Sequence, residues 1–138
     1  MTMTKDLNRP LRVLVIDDEA NARDTIAMML ENGGYEVRQA ADGNGGLRAL
    51  QEGTVDLVIT DLIMPEKEGI ETIVEIRKRW PDIRIIAISG GGRVSNLDFL
   101  EIARKLGANA ILRKPFTRSQ LLECVKRALS TSVTDSRG

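Results

Sequence analysis

The sequence predicts an α/β fold: a single domain with one parallel five-stranded sheet and helices on both faces. Two observations carry this. Stretches with strand character alternate with stretches of helical spacing five times over, the pattern of a parallel sheet joined by helical crossovers. Three strand stretches, LRVLVI (11–16), VDLVIT (55–60) and IRIIAI (83–88), are nearly unbroken apolar runs, as in strands buried on both faces. Those three are expected at the centre of the sheet and the two weaker ones at its edges.

The elements follow in order. Residues 1–9 are polar and expected to form a flexible leader. After the strand ending at Ile16 comes Asp17-Asp18-Glu19, then a helix from Ala20 with Ala22, Ile26, Met29 and Leu30 at helical spacing. Gly33-Gly34 stop it. YEVRQA (35–40) alternates apolar and polar, the mark of a half-exposed edge strand. Asp42-Gly43 reads as a turn. Leu47, Ala49 and Leu50 belong to a short helix that Gly45-Gly46 weaken and Gly53 ends. The next strand stops at Asp61 and breaks at Pro65. A third helix spans 68–80, with Ile70, Ile73, Val74 and Ile76 read as inward and Glu71, Glu75, Arg77 and Lys78 as outward; Pro81 blocks its continuation. The strand 83–88 ends at Ser89, before Gly90-Gly91-Gly92. A helix over 96–106 closes at Gly107, and a short strand over 108–112 leads to Arg113-Lys114-Pro115. Thr117 caps the last helix, whose stripe is Leu121, Leu122, Val125 and Leu129. Residues 131–138 are expected to form a flexible polar tail, so the folded domain is 10–130.

Bulk composition narrows the function. Of 138 residues, 42% are hydrophobic and 29% charged, enough for a core and a solvated surface. Twenty basic residues balance twenty acidic ones, so no global field favours nucleic acid or an anionic membrane. No apolar run approaches the ~20 residues of a membrane span, and the start lacks the apolar segment of a secretory signal. A cytoplasmic location is expected. The single cysteine excludes an internal disulfide or a cysteine metal cluster. The absence of histidine excludes a Ser-His-Asp or Cys-His centre, a His-ligated metal, and a phosphohistidine of the chain's own.

The chemistry gathers at the strand ends. In open parallel sheets ligands bind beyond the carboxyl ends of the strands. The first strand ends there in Asp17 and Asp18, the third in Asp61, the fourth in Ser89 and the fifth in Lys114. A carboxylate in such a place is costly unless its charge is compensated. Three carboxylates on one rim call for a cation, and oxygen ligands without His or Cys suit Mg²⁺. With Lys114 and the Ser89 hydroxyl, this is a layout for phosphoryl transfer to a carboxylate. Asp61 is the expected acceptor.

Four pieces, VLVIDDE, TDLIMP, AISG and RKPF, stand in the order and at the spacing of a known family. Over about residues 10–130 the chain resembles the receiver domain of bacterial two-component response regulators. The resemblance implies the flavodoxin-like strand order 2-1-3-4-5. It implies that Asp61 is phosphorylated and that Asp18 and Asp61 bind Mg²⁺ (or Mn²⁺) directly, with the backbone carbonyl of Ile63. Asp17 would support the metal through water. Ser89 matches the switch Ser/Thr, Lys114 the phosphate-binding lysine, and Lys114-Pro115 would be cis. A partner histidine kinase or phosphotransfer protein would supply the phosphoryl group. The fourth and fifth helices and the strand between them would re-pack toward a downstream protein or a second copy of the chain. The chain would then be a signalling protein rather than an enzyme, with no direct contact to nucleic acid or membrane. Departures from the commonest pattern are Ile111, where many members have a switch aromatic, and the triple glycine. Ile63 and Gly91 offer no polar side chain to guide an attacking water, so self-dephosphorylation is expected to be slow.

Blander readings exist. Asp17-Asp18-Glu19 can be a helix cap with first-turn charges, Asp61 a cap, Lys114 a surface lysine and Ser89 a turn residue. The recurrence of such groups at equivalent strand ends favours a site. Cys124 and Trp80 read as packing residues. The glycine run lacks a following Lys-Ser/Thr and is no P-loop. Other functions are a haloacid-dehalogenase-type phosphatase, a flavodoxin, and an unphosphorylated docking receiver. The first strand ends DDE, without the second Asp two residues beyond the nucleophile that such phosphatases carry. The same acids would repel the phosphate of a flavin, and the complete acidic set argues against a pure docking role.

Overall fold

The computed structural model describes residues 10–62, 68–89 and 96–130, without the side chains of 68 and 96–100. The leader and tail expected at 1–9 and 131–138, and Ile63 and Gly90-Gly91-Gly92, lie outside the described residues. In chain order the elements are β1 (Arg12–Ile16), α1 (Ala20–Asn32), β2 (Glu36–Ala40), α2 (Gly43–Glu52), β3 (Leu57–Asp61), α3 (Glu68–Arg79), β4 (Arg84–Ser89), α4 (Asn96–Leu106), β5 (Ala110–Arg113) and α5 (Arg118–Ser130). The strands form one sheet in the order β2-β1-β3-β4-β5, every neighbouring pair parallel. The three apolar runs are central and the weaker strands lie at the edges, as their patterning requires.

Strand alternation sorts the core into two layers. Leu14, Ile16, Val58, Ile85 and Ala87 face α2, α3 and α4, packing with Leu50, Ile73, Ile76 and Ala103. Val13, Val15, Leu57, Ile59, Ile86 and Ile88 face α1 and α5, packing with Ile26, Leu30, Leu121, Cys124 and Val125. Burying each of the larger of these side chains contributes about 1.5–3 kcal/mol, which holds the central strands rigid. Thr117 caps α5 reciprocally: its hydroxyl accepts from the Gln120 amide at 3.1 Å, and its own amide donates to Gln120 Oε1 at 2.9 Å. Asp42 does more than turn the chain, since its side chain caps α2 by accepting from the Gly45 amide at 2.8 Å.

One face assignment is corrected. Val74 is 41% exposed, whereas Arg77, read as outward, is half-buried. The buried face of α3 runs through Thr72, Ile73 and Ile76, and at 100° per residue Val74 lies about 100° around from Ile73 and about 160° from Ile76, on the far side. Arg77 buries its stem, and its guanidinium donates to the carbonyls of Pro81, Ile83 and Gly107 and to Asn109 Oδ1. Burial lowers its pKa, with Asp82 pulling the other way. Asn109 Oδ1 also accepts from the Ile85 amide at 2.8 Å. This clamp joins α3, β4 and β5 at the amino end of the sheet, opposite the acids.

Candidate functional site

The carboxyl tips of the strands are tied by the main chain before any side chain acts. The Asp17 amide donates to the Ala40 carbonyl at 3.1 Å, Leu62 to Ile88 at 2.8 Å, and Lys114 to Ser89 at 2.9 Å. These bonds extend the ladders by one step past β1, β3 and β5. The side chains of Asp17, Asp61 and Lys114 thus inherit the registry of the sheet. The strand order reverses direction at β1, and the crevice between the ends of β1 and β3 is where Asp17 and Asp61 stand.

Both acids are buried, Asp17 at 2% exposed and Asp61 at 7%. Lys114 reaches them from β5: its Nζ lies 3.4 Å from Asp61 Oδ2 and 3.7 Å from Asp17 Oδ2. Two like charges in one crevice repel, and an ammonium shared between them lowers that cost. Asp17 Oδ1 is engaged by the Glu19 amide at 2.9 Å, which shapes the turn between β1 and α1. Asp18, by contrast, is exposed beside them. Ser89 is fully buried at the tip of β4. The Lys114-Pro115 peptide is cis, matching the expectation.

The expected set is therefore drawn together in part. Asp17, Asp61 and Lys114 meet within ion-pair distance, Ser89 lies at the tip of the neighbouring strand, and Asp18 is at the rim. Among the described residues no group of three acidic or cysteine side chains converges closely enough to hold a metal ion. The oxygen-only donor set nonetheless fits Mg²⁺, which keeps several waters and takes one or two carboxylates: Asp61 in the crevice and Asp18 at its rim, with Asp17 buried beside them. The Ile63 carbonyl falls outside the described residues. Ile111 is partly buried against the layer under α2, α3 and α4.

Three residues absent from the sequence reading shape the site. Arg23 on α1 donates from Nη1 to the Asp17 carbonyl at 2.7 Å and from Nε to Gln39 Oε1 at 3.1 Å. Gly69 starts α3 hard against the end of β3: a Cβ there would overlap the Asp61 carbonyl oxygen and approach the Leu62 Cα to 2.7 Å. No local pattern marks Arg23 or Gln39. Gly69 stands where a helical stretch would favour another residue, and that is the only trace of its role.

A model of the response regulator receiver domain matches residues 13–126. The transcriptional regulatory protein PdtaR of Mycobacterium tuberculosis is 38% identical over 130 residues, which cover 94% of this chain and 62% of that protein. The sensor kinase CckA of Brucella abortus is 37% identical over 129 residues, 90% of this chain but 13% of that protein. The chain thus spans less than two thirds of the length of these relatives. A receiver domain structure from Clostridium thermocellum superposes with a TM-score of 0.79 at 37% identity, covering 86% of this chain and 94% of that one.

Proposed function

The chain belongs to the response regulator receiver domain family of two-component systems, and on that footing we propose that Asp61 accepts a phosphoryl group from a partner histidine kinase or phosphotransfer protein. The observation that carries the proposal is the shared ammonium: Lys114 Nζ at 3.4 Å from Asp61 and 3.7 Å from Asp17. A buried carboxylate beside a fixed cation, at the switch point of a parallel sheet, suits attack on phosphorus. An Asp61 oxygen forms the new bond to phosphorus as the bond to the donor nitrogen breaks, and the nitrogen leaves with its electron pair. Lys114 follows the growing negative charge on the phosphoryl oxygens, at no reorganisation cost because β5 already holds it. The Ser89 hydroxyl, at the tip of β4, is the donor for a further phosphoryl oxygen.

Bound Mg²⁺ supplies the rest of the charge neutralisation. Asp18 and Asp61, with the Ile63 carbonyl, would hold it, and Asp17 would act through water. Phosphorylation adds about −2 charge to the crevice. The readout surface is α4, β5 and α5, presented to a downstream protein or a second copy of the chain. The folded unit is 10–130. Among the described residues no helix is long and apolar enough to cross a membrane.

Acetyl phosphate with Mg²⁺ tests the acceptor. Intact-mass analysis should find one added phosphoryl group on the wild type and none on Asp61→Asn; a group retained by Asp61→Asn refutes the assignment. With Ile63 and Gly91 apolar, the phosphorylated form should outlast many minutes in Mg²⁺, and a lifetime of seconds would overturn that part.

A further inference from the structure

We propose that Arg23, oriented by Gln39, is a positioning residue that sets the acidic turn for cation binding. The proposal rests on the reading of this rim as a Mg²⁺-dependent acceptor site. Arg23 is half-buried on the first turn of α1. Its amide donates to the Glu19 carbonyl at 3.0 Å, and its Nη1 donates to the Asp17 carbonyl at 2.7 Å. One residue therefore grips both ends of Asp17-Asp18-Glu19. The Asp17 carbonyl belongs to the peptide that joins Asp17 to Asp18. Holding that oxygen fixes the rotation of the peptide and with it the direction in which the Asp18 side chain leaves the turn.

The Glu19 side chain, at the N-cap, makes no capping bond; Asp17 Oδ1 closes the turn from within by accepting from the Glu19 amide at 2.9 Å, and the edge strand holds it from outside. Gln39 Oε1 accepts from Arg23 Nε at 3.1 Å, and its neighbour Ala40 accepts from the Asp17 amide at 3.1 Å. β2 thus holds the turn through the main chain and through the Gln39–Arg23 pair. The two bonds use two N–H groups of one rigid fork, a geometry that lysine lacks.

The sign of the effect separates positioning from charge. A cation near a divalent site repels the metal, so an Arg23 acting only by its charge would, on removal, tighten Mg²⁺ binding. A positioning residue predicts the reverse, on the order of tenfold weaker, as for other groups that orient metal ligands. The measurement is Mg²⁺ titration of the full chain by calorimetry, with thermal melting in parallel to confirm folding. Arg23→Ala should weaken binding about tenfold. Gln39→Ala, which keeps the charge, should weaken it in the same direction by less, and Arg23→Lys should recover only part of the loss. Arg12→Ala removes a different arginine, on β1 and paired with Glu36 of β2 at 2.9 Å, and should leave binding unchanged. Unchanged or tighter binding by folded Arg23→Ala overturns the proposal. A wild type that binds no Mg²⁺, or an Asp18→Asn variant that binds it equally well, refutes the underlying site reading and this proposal together.

Discussion

At the scale of single residues, the site depends on groups whose surroundings leave them few alternatives. Lys114 is the clearest case, because its ammonium is shared by two buried carboxylates. Lys114→Ala leaves Asp17 and Asp61 facing each other without it, so phosphorylation by acetyl phosphate should slow by about 10²-fold or more. A rate within a few-fold of wild type would remove Lys114 from the mechanism. Gly69 acts by what it lacks. A methyl group there meets main-chain atoms of Asp61 and Leu62, which cannot swing aside as a side chain can. Gly69→Ala should cost about 1–3 kcal/mol in urea denaturation and slow phosphorylation, since the acceptor's backbone must shift. Cys124 is inert by contrast. Burial raises its thiol pKa, and Arg127 only partly offsets this. A thiol whose folded pKa is raised contributes stability that is complete below the ordinary value of 9.0 and is lost as pH rises through the higher folded value. Cys124→Ala should therefore flatten the fall in stability between pH 9 and the raised value, and native Cys124 should resist thiol reagents until the chain unfolds; rapid labelling of the native protein would contradict this. Asp61 was legible because it ends an apolar run, and Lys114 because it stands with Pro115-Phe116 just past a strand end, whereas Gly69 was not, because its partner is a backbone eight residues earlier that only the β3–α3 connection brings close.

At the scale of elements, the sheet separates a rigid end from a working end. The clamp of Arg77, Asn109 and the carbonyls of Pro81, Ile83 and Gly107 joins α3, β4 and β5 at their amino end. Gly107 suits it twice: its φ of +125° is a conformation that side chains rarely adopt, and a Cβ would lie 2.9 Å from Arg77 Nε. Arg77→Leu should cost about 2–3 kcal/mol in urea denaturation, because it strips a charged donor from several acceptors. Asn109→Ala should be markedly non-additive with it; additive losses would dissolve the clamp into independent contacts. The element boundaries themselves were close to those expected. β1, β4 and β5 each start one or two residues later than the apolar runs, because the ladder and not hydrophobicity decides where pairing begins. Val74 and Arg77 went the other way, since residue type suggested one face and helical phase imposed another.

At the scale of the whole molecule, the proposed cation site would link metal binding to folding. A metal that binds the native crevice and not the unfolded chain stabilises by RT ln(1 + [L]/Kd), about 1.4 kcal/mol at tenfold excess over Kd. The melting temperature should rise with Mg²⁺ and stop doing so in Asp61→Asn; a wild-type melting curve indifferent to millimolar Mg²⁺ would count against the metal site. The fold class, the strand order through the resemblance, the central placement of β1, β3 and β4, and the candidates Asp17, Asp61, Ser89 and Lys114 all followed from the sequence alone. For Asp17, Asp61 and Ser89 this is because burial on both faces leaves an unmistakable apolar run, and a polar residue ending such a run is costly enough to be conspicuous; Lys114 stood out by its place beside Pro115-Phe116 past the last strand. What the tertiary structure alone decided is who shares with whom. Lys114 serves two acids and not one, Asp18 stays exposed while Asp17 is buried, and Arg23 with Gln39 grips the acidic turn from the edge strand. The Lys114 pairs and the Arg23–Gln39 pair join residues separated by 16 to 97 positions, and no local periodicity records a distance that arises only when β2 and β5 close against their neighbours.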